Sequence, residues 1–373
     1  MTIQIINGDC LDVLPTLEAN SVHCVVTDPP YHLISTVERF GKPGQERNAA
    51  TAGKHQYGRL SRGFMGKAWD GGDIAFRPET WAAVHRVLKP GAFMVAFAST
   101  RGYHRMVCAI EDAGFVIHPM LGWLFASGFP KATRFQQPEL EGWRYGQQAL
   151  KPALEPICLA QKPLDGTGSA NWDAHGCGGL NIEACRVEGG PIASAGGRWP
   201  ANVLHDGSPE VEKALAAFGE RTSGSFNGNR AADKLRVAYG AFKGAEGERA
   251  YEGNSGSASR FFFSAKADTA DRADSRHPTV KPAALMRWLV QLVTPPGGAV
   301  LDPFAGTGST GLAADQLGFD AVLIEKDPTY AADARRKIER DGGLFSALQP
   351  GPVARAPEVP MDDLFTHAVA ATR

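Results

Sequence analysis

Two short stretches gather residue types that can do chemistry. In VVTDPPYHL, residues 25–33, an acid, two prolines and an aromatic ring follow an apolar run. Proline locks φ and donates no backbone N–H, so the run from Val22 to Val26 ends in a stiff loop that holds Asp28, Pro29, Pro30 and Tyr31 in one shape. In VLDPFAGTGST, residues 300–310, Asp302, Pro303 and Phe304 lead from a buried strand into Gly306, Thr307, Gly308 and Ser309 at the start of a helix. Glycines let a ligand approach the backbone, and a helix N-terminus offers unpaired N–H groups.

The charge of the second stretch narrows the ligand. No Gly-Lys-Ser/Thr closes the turn, and Asp302 at its entrance would repel a pyrophosphate, so it is not a phosphate cradle of the P-loop kind. The strand AVLIE further on ends in Glu325, which can take both hydrogen bonds of a ribose diol. An acidic turn prefers a cation. Asp302 and Glu325 together favour S-adenosyl-L-methionine, with its sulfonium and amino group, over NAD.

Both stretches need a frame. Over the first 130 residues short β-rich runs (IQII, SVHCVV, AFMVAFAS) alternate with helix-like ones (CLDVLPTLEA, PETWAAVHRVL, GYHRMVCAIEDAG), the mark of a covered sheet. The alternation resumes after RFFFSAKAD: PAALMRWLVQLV puts Leu285, Trp288, Leu289 and Leu292 on one helical face, and strand, helix, strand and helix follow. Between these parts the periodicity fades into Gly, Ser, Asn and Arg, as expected of an inserted, loop-rich lobe. Trp123, Trp143, Trp172 and Trp199 are expected mainly to staple that stretch. A proline-rich tail closes the chain and reads as weakly ordered.

Composition excludes several classes. A chain of 373 residues, 43% hydrophobic, can bury a sizeable core, and its net charge of -1 gives no overall attraction to nucleic acid. Any such role rests on local patches. Residues 31–70 hold seven Lys and Arg against three Asp and Glu, a local basic loop. Six cysteines without a CxxC pair fit free thiols and a reducing interior, and His175, Cys177 and Cys185 match no usual zinc spacing, so no metal is expected. No N-terminal run resembles a signal peptide and no stretch reaches membrane-helix length, which reads as cytoplasmic.

TDPPYH and LDPFAGTG, with HPTVKP at 277–282, resemble the catalytic, cofactor and preceding motifs of the exocyclic-amino DNA methyltransferases. Their order, catalytic motif first and cofactor motif last, resembles the β class of that family, a circular permutation of the commoner layout. The likeness covers residues 3–130 and 262–340, and the middle segments KPALEPICLAQKP, GGLNIEACRV and GRWPANVLHDGS are similar to a subgroup of phage and prophage adenine methylases. It implies a Rossmann-like α/β fold, a mostly parallel twisted sheet with helices on both faces. The catalytic domain would be formed by 1–130 and 262–345, with a target-recognition insertion at 131–261 and a tail at 346–373. It also implies S-adenosyl-L-methionine as cofactor, held by Asp302, Pro303, Phe304, Gly306, Thr307, Gly308, Ser309, Glu325 and Asp28. Asp9 in NGDCLDVL would lie near the cofactor adenine, and Lys281 would meet the cofactor or merely cap and solvate a helix start.

In that family's chemistry the acceptor is an exocyclic amine whose lone pair is delocalised into the base. Asp28 would accept one N–H and the carbonyl of Pro29 the other, favouring the pyramidal nitrogen that forms as the methyl arrives. A base in a duplex cannot reach the loop, so it would swing out onto the face of Tyr31, while Arg39, Lys42, Arg47, Lys54, Arg59 and Arg62 hold phosphates. Asp at position 28, where cytosine-N4 enzymes more often carry Ser, favours adenine N6; cytosine N4 and a silent DNA-binding protein of the same fold stay open. Cytosine C5 chemistry is excluded because no cysteine follows a proline. Motif order disfavours protein and RNA methyltransferases, and the middle lobe shows no metal-carboxylate cluster for a nuclease. Double-stranded DNA is the implied partner; a homodimer and a restriction enzyme partner stay open.

Overall fold

The computed structural model describes residues 2–31, 73–187, 197–222, 255–265 and 281–341. In chain order the strands are β1 (Ile3–Asn7), β2 (Val22–Thr27), β3 (Leu88–Phe97), β4 (Val116–Ile117), β5 (Leu121–Leu124), β6 (Lys131–Arg134) and β7 (Arg144–Gln148). They continue with β8 (Leu154–Gln161), β9 (Val203–His205), β10 (Arg221–Thr222), β11 (Ser255–Gly256), β12 (Phe263–Ser264), β13 (Ala299–Asp302) and β14 (Asp320–Glu325). The α-helices are α1 (Cys10–Val13), α2 (Pro78–Val87), α3 (Tyr103–Asp112), α4 (Gly168–His175), α5 (Pro209–Ala216), α6 (Ala283–Val293), α7 (Ser309–Leu317) and α8 (Pro328–Asp341). The chain divides into two compact units, one of Met1–Trp123, Leu154–Asn181 and Lys266–Arg373, the other of Leu124–Ala153 and Ile182–Ala265.

The first unit is the expected α/β body. Its sheet runs β1-β14-β13-β2-β3-β8, parallel from β1 to β3 and antiparallel from β3 to β8. β2 is a nearly continuous apolar run because it is covered on both faces, as central parallel strands are. Successive side chains point to opposite sides: Val25, Met94 and Ile324 share a core with Trp81, Met106 and Ile110. On the other face, Cys24 Sγ lies 3.1 Å from Thr294 Oγ1 at the end of α6. Leu285, Trp288, Leu289 and Leu292 are buried, as their spacing predicts, and so are Met286, Val290 and Val293.

One boundary differs from the sequence reading. Residues 154–181 belong to the first unit, where β8 pairs with β3 from Phe93 opposite Gln161 to Phe97 opposite Ile157. LEPICLAQ has the apolar content of a covered strand, but glycine- and proline-rich sequence on both sides disguised it as part of the insertion.

The second unit is built from short pieces: the antiparallel pairs β6–β7 and β10–β11 and the parallel pair β9–β12. Polar contacts brace it. Asp206 accepts hydrogen bonds from the backbone of Ala126 and Ser208, and Arg198 donates to the carbonyl of Arg260. The expected tryptophan staple is not what holds it, since Trp143 is 67% and Trp199 66% exposed. Trp172, on α4 of the first unit, is also exposed. Among the described residues of this unit the regular elements are short, which leaves little packed surface to receive an indole. All six cysteine thiols are free, and no helix among the described residues is long and apolar enough to cross a membrane.

Candidate active site

β13 and β2 are parallel neighbours, with Val300 opposite Cys24 and Leu301 opposite Val25. From β2 the chain winds through α2 to β3 on one side; from β13 it winds through α7 to β14 on the other. Such a reversal opens a crevice at the carboxyl ends of the two strands, the place where open α/β sheets bind ligands. Asp28 follows β2 and Asp302 closes β13, so the two stretches singled out by residue type flank that point.

Asp302 is buried. Its Oδ1 accepts from Thr27 Oγ1 at 2.7 Å and from Phe304 N at 3.0 Å, and its Oδ2 from Thr310 Oγ1 at 2.6 Å. Burial pushes its carboxyl up to about 6, against the pull of those three donors. The acid therefore shapes the turn, and its charge is less available to a ligand than the sequence suggests. Gly306 and Gly308 take positive φ, 53° and 77°, and a Cβ on Gly308 would lie 2.8 Å from the Cβ of Ala334 in α8. Phe304 meets Trp81 edge-on at 6.5 Å, Pro303 and Thr307 are buried, and Ser309 Oγ accepts from Lys337 Nζ at 3.2 Å.

Glu325 ends β14 beside this turn. Its Oε2 accepts from Gly306 N at 2.7 Å and its Oε1 from Asp327 N at 2.8 Å, which orients the carboxylate and leaves each oxygen a second lone pair for a diol. Burial pushes its carboxyl above the ordinary range. Asp9, at the same end of neighbouring β1, caps α1 through Leu11 N at 3.0 Å and pairs with Lys326 at 2.8 Å. The Lys326 hydrogen bond holds Asp9 below its usual value.

Around the first loop the structure gathers a charged cluster. Lys281 Nζ, buried, lies 2.8 Å from Asp28 Oδ2, 3.1 Å from Glu155 Oε2 and 3.1 Å from the Tyr31 hydroxyl. It also sits 4.7 Å from the Phe97 ring centre and 5.4 Å from that of Tyr31. Burial opposes its charge, but Asp28 and Glu155 outweigh burial and push Lys281 above the ordinary lysine value. The motif predicts a cofactor contact or a helix start for Lys281; here it pairs with the loop acid. Glu155 was missed, although an acid inside an apolar run that is then buried is the kind of signal that marks functional sites. The other oxygen of Asp28, Oδ1, is buried and has no hydrogen-bond partner among the described residues.

The remaining expectations fall elsewhere. Arg39, Lys42, Arg47, Lys54, Arg59 and Arg62 lie outside the described residues, as do the first four residues of HPTVKP. Among the described residues no group of three or more His, Cys, Asp or Glu could hold a metal ion.

A family model described as a DNA methylase matches residues 22–336 of the chain. The type II methyltransferase M.HindIII of Haemophilus influenzae is 26% identical over 348 residues, covering 87% of this chain and 91% of that protein. Among solved structures, the cytosine-N4-specific PvuII DNA methyltransferase aligns at 16% identity and TM-score 0.47, covering 93% of each chain. The M1.HpyAVI–SAM complex aligns at 18% identity and TM-score 0.42, covering 90% of this chain and 100% of that one.

Proposed function

The chain belongs to the N6/N4 DNA methylase family, and from that membership we propose that it transfers a methyl group from S-adenosyl-L-methionine to the exocyclic N6 amine of adenine in double-stranded DNA. The observation that carries the reading is Asp28 Oδ1, buried and without a hydrogen-bond partner among the described residues. A buried acceptor without a donor costs about 1–3 kcal/mol, a penalty that a ligand N–H beside it removes.

The residues fit the cofactor. Glu325 has acceptor capacity for a ribose diol, Asp9 stands at the end of the adjoining strand, and the turn from Asp302 to Ser309 lets a ligand lie against backbone N–H groups at the start of α7. When bound, S-adenosyl-L-methionine supplies an electrophilic methyl group on a sulfonium. Everything else in the mechanism is positioning and electrostatics by the chain.

Lys281 holds Asp28 by Oδ2 and so leaves Oδ1 for the target amine. Asp28 accepts one amine N–H and the Pro29 carbonyl the other, which draws electron density onto the nitrogen and stabilises positive charge as it develops there. The two prolines keep both acceptors from relaxing away. The surplus proton of the methylated nitrogen passes to Asp28 or to water. Tyr31, its hydroxyl anchored by Lys281, offers its ring to the flipped base.

In the second unit, the β6–β7 hairpin exposes Phe135, Trp143 and Tyr145 together with Lys131, Arg134 and Arg144. Aromatic and basic groups side by side suit a duplex, so the target-recognition role falls to this hairpin along with the basic loop. Asp at position 28 supports adenine over cytosine.

The test is mass spectrometry of nucleosides from duplex DNA incubated with the protein and S-adenosyl-L-methionine. N6-methyl-deoxyadenosine is expected. N4-methyl-deoxycytidine would keep the mechanism and change the base; no methylated base on varied DNA would refute the reading.

A further inference from the structure

Two acids share one ammonium beneath Tyr31. Lys281 is ion-paired with Asp28 Oδ2 at 2.8 Å and with Glu155 Oε2 at 3.1 Å, and it donates to the Tyr31 hydroxyl at 3.1 Å. The Tyr31 hydroxyl and Glu155 therefore meet at the same ammonium. Asp28 alone would neutralise Lys281, so the second acid is surplus to charge balance. Its partial burial is unfavourable, since burial pushes the Glu155 carboxyl above the ordinary range against the pull of Lys281. Glu155 reaches the site only because β8 runs antiparallel along β3, whose last residue, Phe97, stacks its ring against the same ammonium.

Resting on the function proposed above, we infer that Glu155 is a positioning residue: it anchors Lys281 and the Tyr31 hydroxyl so that Asp28 keeps Oδ1 turned to the target amine and Tyr31 keeps one ring orientation for the target base. Without that anchor the ammonium is divided between Asp28 and Tyr31 alone, and both can turn with it. Misplacement of the acceptor by a fraction of an ångström lowers the chemical step far more than cofactor binding.

The inference has a pH signature. The groups facing Glu155 are Lys281, Asp28 and Tyr31, with Asp302 behind Asp28 across Thr27. Lys281 stays charged throughout the working range, so the groups that change are Glu155 at the ammonium and Asp302 behind Thr27, and substitution of Glu155 separates the two. As pH falls through its raised range, Glu155 takes a proton and loses its hold on Lys281, and methylation slows.

The experiment uses lysine-15N-labelled protein without DNA or cofactor, in which a buried, hydrogen-bonded ammonium gives its own N–H signal, assigned by its loss in Lys281→Met. In the unmodified protein that signal should move with pH in step with Glu155, and in Glu155→Gln the movement should vanish. The same variant should lower kcat by about tenfold or more, with KM for S-adenosyl-L-methionine little changed and the acid limb of the rate profile reduced to the part that Asp302 contributes, and Glu155→Asp should recover part of the rate. A Lys281 signal insensitive to pH in the unmodified protein would overturn the inference even if Glu155→Gln failed to fold, as would an unchanged rate profile in a folded Glu155→Gln. An unmodified protein that methylates no DNA would overturn the functional reading instead and leave the Lys281 titration to judge the cluster.

Discussion

The Thr27 hydroxyl donates a 2.7 Å hydrogen bond to Asp302 Oδ1, so the residue before Asp28 is tied to the acid that closes β13. Thr310 completes the tie, donating to Asp302 Oδ2 at 2.6 Å and lying 3.3 Å from the Val26 carbonyl. The loop that would hold the target amine and the turn that would hold the cofactor are thus braced against each other at their roots. Methyl transfer needs this, because donor and acceptor must be held in line.

Asp302 carries a stability prediction. Its carboxyl is raised from 3.8 to about 6, so its contribution to stability is fully present below 3.8 and lost as pH rises through about 6. Asp302→Asn does not titrate. Relative to the unmodified protein, the variant should gain up to about 3 kcal/mol between pH 4 and pH 8, read from urea unfolding at both values. A difference that stays constant across that range would contradict the account.

Lys281→Met should destabilise the fold by about 3 kcal/mol, because it strands two partly buried carboxylates without their cation. Adding Glu155→Gln should restore part of the loss, since one stranded charge is then removed. If the two substitutions instead add in urea unfolding, the side chains are not coupled as described.

Gly308→Ala should weaken cofactor binding and lower stability together. The residue has φ 77°, and the new methyl would press on Ala334 at 2.8 Å. A loss of about 1–3 kcal/mol is expected, with a matching fall in S-adenosylhomocysteine affinity by calorimetry. Unchanged affinity would separate this turn from the cofactor.

Trp143→Ala and Arg144→Ala test the hairpin. Both residues are exposed, so thermal stability should hold while affinity for duplex DNA falls. Arg144→Ala should also flatten the dependence of binding on salt, by about one unit of slope for a lost phosphate contact. Unaltered DNA binding in both variants would take the hairpin out of the interface.

Much of the first unit is legible in the residues themselves. The apolar runs before Asp28 and Asp302 predict covered strands, the prolines and glycines end them, and the two resulting loops do stand at adjacent strand ends. Glu155 is harder to see, because its place depends on β8 turning back along β3, and pairing between distant segments leaves no local pattern. Lys281 is visible as part of a motif, but its ion pair with Asp28 spans most of the chain and shows only in three dimensions. The tryptophans illustrate the reverse error: an indole invites burial, yet Trp143 and Trp199 are exposed.

The most direct test of the central claim is single-turnover methyl transfer by Asp28→Asn, with S-adenosylhomocysteine binding measured on the same preparation. The substitution keeps the shape of the side chain but removes the negative charge that the unpaired Oδ1 presents to the target amine. Methyl transfer slowed by about a hundredfold or more, with binding intact, is the predicted result. Transfer at the unmodified rate would show that Asp28 does not hold the amine and that the chemistry is done elsewhere.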